Sequence, residues 1–179
     1  MNDKITVFVS GRLDINKPEN LKIYEVITRL CESLGFSVWL PHRDTRAYLR
    51  KRYFSPEERT KNLYEFDTKK VKSSKLVIAE LTDPAFGVGG ELTSCKEANV
   101  DVVAIAREHA NVSATIIGNT AVKKFLRYKN VDELEIKLRE VLEKYAKDKN
   151  YLRKSYDFHE IFEEWATPEQ KSAYPWIFK

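Results

Sequence analysis

The sequence predicts an α/β protein: a three-layer, doubly wound parallel sheet of about five strands, flavodoxin-like or Rossmann-like, with a C-terminal helical extension. Three observations predict it. Short, near-continuous apolar runs rich in β-branched residues, ITVFVS (5–10), LVIAEL (76–81) and DVVAIA (101–106), read as strands buried on both faces. Segments of helical periodicity separate them, and parallel neighbours require such crossovers. The length of 179 residues, with 42% hydrophobic and 32% charged, suits one globular domain with a real core.

In chain order, ITVFVS is the first strand and ends in the turn GRLD. From Pro18 to Leu34 the positions Ile23, Ile27, Leu30, Cys31 and Leu34 keep helical spacing; Pro18 suits a first turn and Gly35 a C-cap. FSVWL (36–40) reads as a second strand. Residues 41–58 carry many arginines between prolines without a steady period, so they read as a long surface loop or lid. A second helix is expected over 57–74, a third strand at 76–81 and a third helix over 91–99, preceded by a glycine loop. DVVAIA is the fourth strand and FLRY (125–128) the fifth. A final clear helix begins near 131 with Leu134, Leu138, Val141, Leu142 and Tyr145 on one face. Two units are expected: an α/β domain over 1–148, and an aromatic-rich extension over 149–179 that packs on the core or on a partner subunit. Exposed aromatics there would otherwise promote association.

Charge and special residues narrow the function. A net charge of +4 is compatible with an anionic small molecule and falls short of the dense basic clustering of nucleic-acid binders. The RKR at 50–52 reads as a solvated face, with a lid over an anionic ligand, or nucleic-acid contact, as the competing readings. No apolar stretch approaches the ~20 residues of a membrane helix and no signal-peptide pattern appears, so a cytoplasmic protein is expected. Cys31 and Cys95 sit in helical patterns and read as reduced core thiols. His42, His109 and His159 are far apart without ligand spacing, so no metal and no cofactor is expected.

Sheets of this class bind ligands beyond the carboxyl ends of their strands. The segments after strands one, three and four are therefore expected to share one cleft. Two carboxylates stand in awkward places near it. Leu63, Asp67 and Val71 are i+4 neighbours, so Asp67 lies within an apolar stripe; it either pairs with a lysine such as Lys70 or is held near the cleft for a purpose. Glu91 follows Gly87, Gly89 and Gly90 at the expected head of a helix. An acid there either serves the helix dipole or faces a ligand lying against a backbone stripped of Cβ atoms. The loop lacks the Gly-Lys-Ser/Thr of a phosphate loop and is too short for a dinucleotide fingerprint. An acid in that position suits a carbon gaining positive charge. Cleavage of a glycosidic bond passes through such an oxocarbenium-like state, which one carboxylate can trap while a second assists.

The stretch VIAELTDPAFGVGGEL (77–92) resembles the strand, proline turn and Gly-x-Gly-x-Glu segment of the nucleoside 2-deoxyribosyltransferases and the related 2′-deoxynucleoside 5′-monophosphate N-glycosidases. The likeness spans about residues 5–145. It implies Glu91 as the nucleophile at the anomeric carbon. YEFDTKKVKSSKLVIAE (64–80) is similar to the preceding helix, which implies that Asp67 orients the nucleophile or contacts the sugar. SATIIGN (113–119) resembles a phosphate-binding segment, which implies 5′-phosphate contacts from Ser113 and Asn119, supplied in those relatives by a neighbouring subunit. PHRDT (41–45) places His42 near the site. By the same likeness Phe8, Gly11, Arg12, Asp83, Gly87 and Gly89 are expected to contact substrate, and a homodimer or higher homo-oligomer with shared sites is expected. Three departures bear on phosphate preference and on ribose against deoxyribose: the turn SGRLDINKP offers only Gly11 and Arg12, Ala85 replaces a serine, and Phe8 replaces a tyrosine.

The expectation is thus an enzyme that breaks the N-glycosidic bond of a nucleoside or its 5′-monophosphate through a glycosyl-Glu intermediate, with water or a second base as acceptor. The alternative is a nucleotide-binding or sensing module of the same fold without turnover.

Overall fold

The computed structural model describes residues 4–12, 18–52 and 54–179. Residues 13–17, which complete the expected turn after the first strand, lie outside the described residues. Five strands, β1 (Thr6–Gly11), β2 (Ser37–Trp39), β3 (Leu76–Glu80), β4 (Asp101–Arg107) and β5 (Val122–Tyr128), form one sheet in the order β2-β1-β3-β4-β5. Every pairing is parallel, with Val9 beside Ile78 and Ile78 beside Val103 at the centre. The expected doubly wound sheet is the observed one.

Helices cover both faces. On one side α1 (Pro18–Ser33) and α6 (Val131–Lys147) pack Ile23, Ile27, Leu30, Leu134, Leu138 and Leu142 against Val7, Val9, Ile78 and Ile105. On the other, α3 (Pro56–Ser73) and α4 (Phe86–Ala98) bring Val71, Val88, Leu92 and Cys95 against Phe8, Val77, Ala79 and Ala104. Alternate residues of each strand thus serve opposite faces, the period-two rule of a pleated strand. Both cysteines are buried free thiols, and Gly35, just past α1, takes a positive φ of 84°, the left-handed C-cap expected of it.

Two expectations are corrected. Residues 41–50 are a helix, α2 (Pro41–Arg50), rather than a loop or lid. Pro41 opens it, the Asp44 carboxylate accepts the Leu40 backbone N–H at 2.8 Å, and Thr45 and Leu49 turn inward while the arginines decorate the rest. The buried face is only two residues wide, which is why its period was obscure. The glycines 87, 89 and 90 lie inside α4, which begins at Phe86 with Ala85 as N-cap. Glu91 is accordingly in the second turn, beyond the first-turn position where the dipole argument applies. Burial of Val88, Leu92 and Cys95 at i, i+4 and i+7 outweighs a helix cost of about 1 kcal/mol for each glycine.

The extension begins with α7 (Tyr151–Lys154), followed by α8 (Phe158–Trp165) and α9 (Pro168–Ala173). Leu152 joins the core of the first face, whereas Ile161 and Trp165 join that of the second, so the chain wraps around the β5 edge. The Glu164 carboxylate accepts the Arg127 backbone N–H at 2.9 Å, which satisfies a donor on that otherwise unpaired edge. Among the described residues no helix is long and apolar enough to cross a membrane.

Candidate active site

In the order β2-β1-β3-β4-β5 the connections from β1 and β3 depart in opposite directions, so a crevice opens beyond their carboxyl ends. Ser10 and Gly11 end β1 beside Ala79 and Glu80 of β3. From there the Ser10 hydroxyl donates a hydrogen bond to the Glu91 carboxylate. A cavity of about 170 Å³ adjoins this pair, lined by Gly11, Tyr24, Leu40, Pro41, His42, Arg46, Leu63 and Glu91 among others.

The Glu91 carboxyl is pushed up to about 7, first by burial and secondarily by the Asp67 charge, with the Ser10 hydrogen bond opposing. Asp67 is itself raised by burial, against a hydrogen bond from Thr45, whose hydroxyl donates to it at 2.6 Å. The indole of Trp39 donates to the same Thr45 oxygen at 3.0 Å. Lys70, the salt-bridge partner considered for Asp67, instead lies over the Trp39 ring at 4.1 Å. Asp67 is therefore held by a neutral donor rather than by a cation, and it acts on Glu91 through its charge alone. His42 is lowered by burial and then by Arg46 and Arg43, which keeps its imidazole neutral near pH 7.

Tyr24 shapes the other wall. Its hydroxyl donates to the Arg12 carbonyl at 2.7 Å, and a Cβ on Gly11 would overlap its ring; that close approach is why glycine stands there. Burial, then the nearby Glu80, keep this phenol protonated, with smaller contributions from Tyr128, Asp83 and Glu91. Behind it Glu80, 1% exposed, accepts from the Thr82 hydroxyl, from the Thr82 backbone N–H at 3.2 Å and from the Tyr128 hydroxyl at 3.1 Å. Burial raises its carboxyl as well.

A second, larger cavity of about 560 Å³ adjoins the first turns of α4. Asp83, Ala85, Gly89, Asn111, Ser113 and Tyr174 are in its lining. Asp83 accepts from the Asn20 carboxamide at 3.1 Å. Ser113 is the N-cap of α5 (Ala114–Ile117), its hydroxyl accepting the Thr115 N–H at 3.3 Å. The single expected cleft is thus divided into these two cavities and a third of about 660 Å³ lined by Thr82, Arg107, Glu108, His109 and Lys129 among others.

Of the expected residues, Gly11, His42 and Glu91 meet at the smaller cavity with Asp67 in electrostatic range, and Asp83, Gly89 and Ser113 meet at the larger. Arg12 follows β1 on the exposed surface and Gly87 sits exposed on the first turn of α4. Two positions do something else. Phe8 is fully buried beneath α4 and lines neither cavity, because strand alternation turns it into the core. Asn119 spends its carboxamide on the backbone, donating to the Leu92 carbonyl and accepting from Ala121 N–H, both at 3.0 Å; it ties α4 to the turn before β5. The sequence reading missed Ser10, Tyr24, Thr45, Arg46, Glu80 and Tyr174. Glu80 had a visible signal, a lone charge inside the apolar run LVIAEL, and Tyr174 stands among the aromatics of the tail; the others had none, since their roles depend on neighbours distant in sequence.

A half-buried carboxyl held near neutrality beside a cavity can act as a nucleophile or exchange a proton at pH 7. Among the described residues, no cation pairs with Glu91.

No protein-family model matches the chain. Two curated proteins, each named "Putative 2′-deoxynucleoside 5′-phosphate N-hydrolase 1", do. The one from Methanococcoides burtonii is 30% identical over 114 residues, 64% of this chain and 90% of the relative. The one from Syntrophotalea carbinolica is 29% identical over 82 residues, 45% of this chain and 57% of the relative. Among solved structures, a CMP N-glycosidase from Clostridium botulinum superimposes with a TM-score of 0.53 at 22% identity, over 74% of this chain and 97% of that one. A 2-deoxyribosyltransferase from Bacillus psychrosaccharolyticus does so with a TM-score of 0.55 at 13% identity, over 73% and 90%. At such identities the two structures speak to the fold.

Proposed function

The chain belongs to the nucleoside 2-deoxyribosyltransferase family, which includes the 2′-deoxynucleoside 5′-phosphate N-hydrolases, and from that premise we propose that it cleaves the N-glycosidic bond of a (deoxy)nucleoside or its 5′-monophosphate with Glu91 as nucleophile. The observation that carries this reading is the Glu91 carboxylate itself, bonded to the Ser10 hydroxyl, free of a described cation and lining a cavity with His42.

In the ionised form Glu91 attacks the anomeric carbon. A carbon–oxygen bond forms as the carbon–nitrogen bond breaks, and the base departs with the bonding pair and takes up a proton. Water, or a second base, then displaces the carboxylate from the same carbon, so configuration is retained over two inversions. Ser10 aims the attacking carboxylate. Asp67, held by Thr45, raises the energy of the charged nucleophile and can accept a sugar hydroxyl, an assisting role that suits its place in the helix before. The neutral His42 and the cationic Arg46 line the same cavity and can meet the base or an anionic group. Asp83, Gly89 and Ser113, with Gly87 beside them, line the route for the far end of the substrate; Arg12 is assigned an anion contact. The fully exposed Phe86 on the rim supports the further reading that a second copy covers this region. Residues 1–148 and 149–179 are read as an α/β unit and its extension.

The test is a panel of deoxynucleosides, nucleosides and their 5′-monophosphates, with and without acceptor base, followed by chromatography for free base. Release is expected, and Glu91→Ala is expected to lower kcat/KM by about a thousandfold or more. Ligand-induced thermal stabilisation without release by the parent chain would instead establish a non-catalytic binding module.

A further inference from the structure

The extension packs on both faces of the sheet, and one set of its contacts lies beside the larger cavity. Arg127 on β5 spends its guanidinium on backbone carbonyls from two directions. Its Nη1 donates to Arg107, Glu108 and Ala110 at 3.0, 3.0 and 2.9 Å, in the segment that leaves β4. Its Nε and Nη2 donate to Glu164 and Trp165 at 3.3 and 3.4 Å, in α8. Immediately downstream the Val112 carbonyl accepts two hydrogen bonds, from the Trp165 indole and from the Gln170 carboxamide, each at 2.9 Å. Both lone pairs of that carbonyl are thereby used by the extension.

This attachment is not cheap. Gln170 is fully buried, and its carboxamide oxygen has no partner among the described residues, an expense that a surface strap would not need to carry. The segment so held, 108–113, places Asn111, Val112 and Ser113 in the lining of the ~560 Å³ cavity, and Tyr174, just after α9, is the one residue of the extension in that lining. Its ring packs on Trp165 with centroids 5.8 Å apart, so the same indole that grips Val112 also backs the cavity wall.

We propose that the C-terminal extension is a working part of the substrate site: Arg127, Trp165 and Gln170 position the 108–113 segment, and Tyr174 closes the cavity that this segment shares with the turn before α4. Trp165, Gln170 and Arg127 are positioning residues; Tyr174 is a wall. The proposal rests on the reading that this cavity takes the far end of a nucleotide, so it is tested by both a kinetic and a ligand-free measurement.

Trp165→Phe and Gln170→Leu each leave one donor on Val112, and the pair together leaves none. On whichever substrate the parent chain cleaves, the double variant is expected to raise KM at least fivefold with kcat within twofold. Tyr174→Ala is expected to do the same, and Tyr174→Phe to restore the parent KM. In native-state hydrogen exchange without ligand, the Glu108, Ala110 and Val112 amides should exchange at least tenfold faster in the double variant, while those of Val103 and Ile105 in β4 hold the parent rate. Should the double variant fail to fold, Gln170→Leu alone carries the same expectations at smaller amplitude. Folded variants with parent KM and parent exchange would overturn the proposal. A parent chain that releases no base would instead sink the proposed function, and the exchange experiment would still decide whether the extension fixes the segment.

Discussion

Glu91 holds its proton up to about pH 7 in the folded chain, against an ordinary 4.5. The folded state therefore binds the proton more tightly than the unfolded one, and stability falls as pH rises between those values. Glu91→Gln removes the charge that causes the loss. At pH 8 the variant should be more stable than the parent by on the order of 2–3 kcal/mol, and at pH 4 the two should unfold together; denaturant melts at both values check this. A nucleophilic carboxylate works only when ionised, so kcat/KM should rise with pH through about 7. The Ser10 hydrogen bond favours the ionised form, so Ser10→Ala should move that rising limb to higher pH; a limb unmoved, or moved downward, would remove Ser10 from the mechanism. The sequence revealed Glu91 and Asp67 because a carboxylate within an apolar or glycine-rich stretch stands out by itself. It did not reveal Ser10, because a serine ending a strand is unremarked until a helix 81 positions on brings an acid to it.

At the scale of elements, glycine was legible as an oddity and misread as a loop. A Cβ added at Gly89 or Gly90 meets nothing within 4 Å, whereas one at Gly11 strikes the Tyr24 ring. Gly90→Ala, in an exposed helix interior, should therefore stabilise the fold by about 0.5–1 kcal/mol, and Gly11→Ala should destabilise it by about 1–3 kcal/mol. Gly89 faces the larger cavity; Gly89→Ala should stabilise as Gly90→Ala does while raising KM. Thermal melts with parallel kinetics separate these outcomes, and a Gly89→Ala protein with parent KM would return the glycine run to chance. The arginine-rich α2 escaped detection for a related reason. Only Thr45 and Leu49 of it are buried, too few to mark a period, and what fixes its inward face is the Thr45 bond to Asp67 on α3.

For the molecule as a whole, the extension is pinned at both ends of the sheet. Near the amino ends of the strands Arg153 donates to Asp101 at 3.0 Å and to the Asn99 carbonyl at 2.8 Å, while Asp101 is buried. Removing the partner strands a buried carboxylate. Because Arg153 is itself half-exposed, Arg153→Ala should cost about 2 kcal/mol, measurable by denaturant melts; a loss below 0.5 kcal/mol, on the scale of an ordinary surface pair, would show that this anchor is dispensable. The sequence by itself determined the alternation of buried strands and amphipathic helices, hence the parallel sheet and its crevice, since periodicity and apolar runs are local properties. Only the tertiary structure decided which groups meet in that crevice: that Ser10 reaches Glu91, that Thr45 rather than Lys70 holds Asp67, that Phe8 and Asn119 serve the core and the backbone, and that the aromatic tail grips the Val112 carbonyl. Those are contacts between residues tens of positions apart, and their energies come from burial and hydrogen-bond geometry, which no stretch of sequence contains alone.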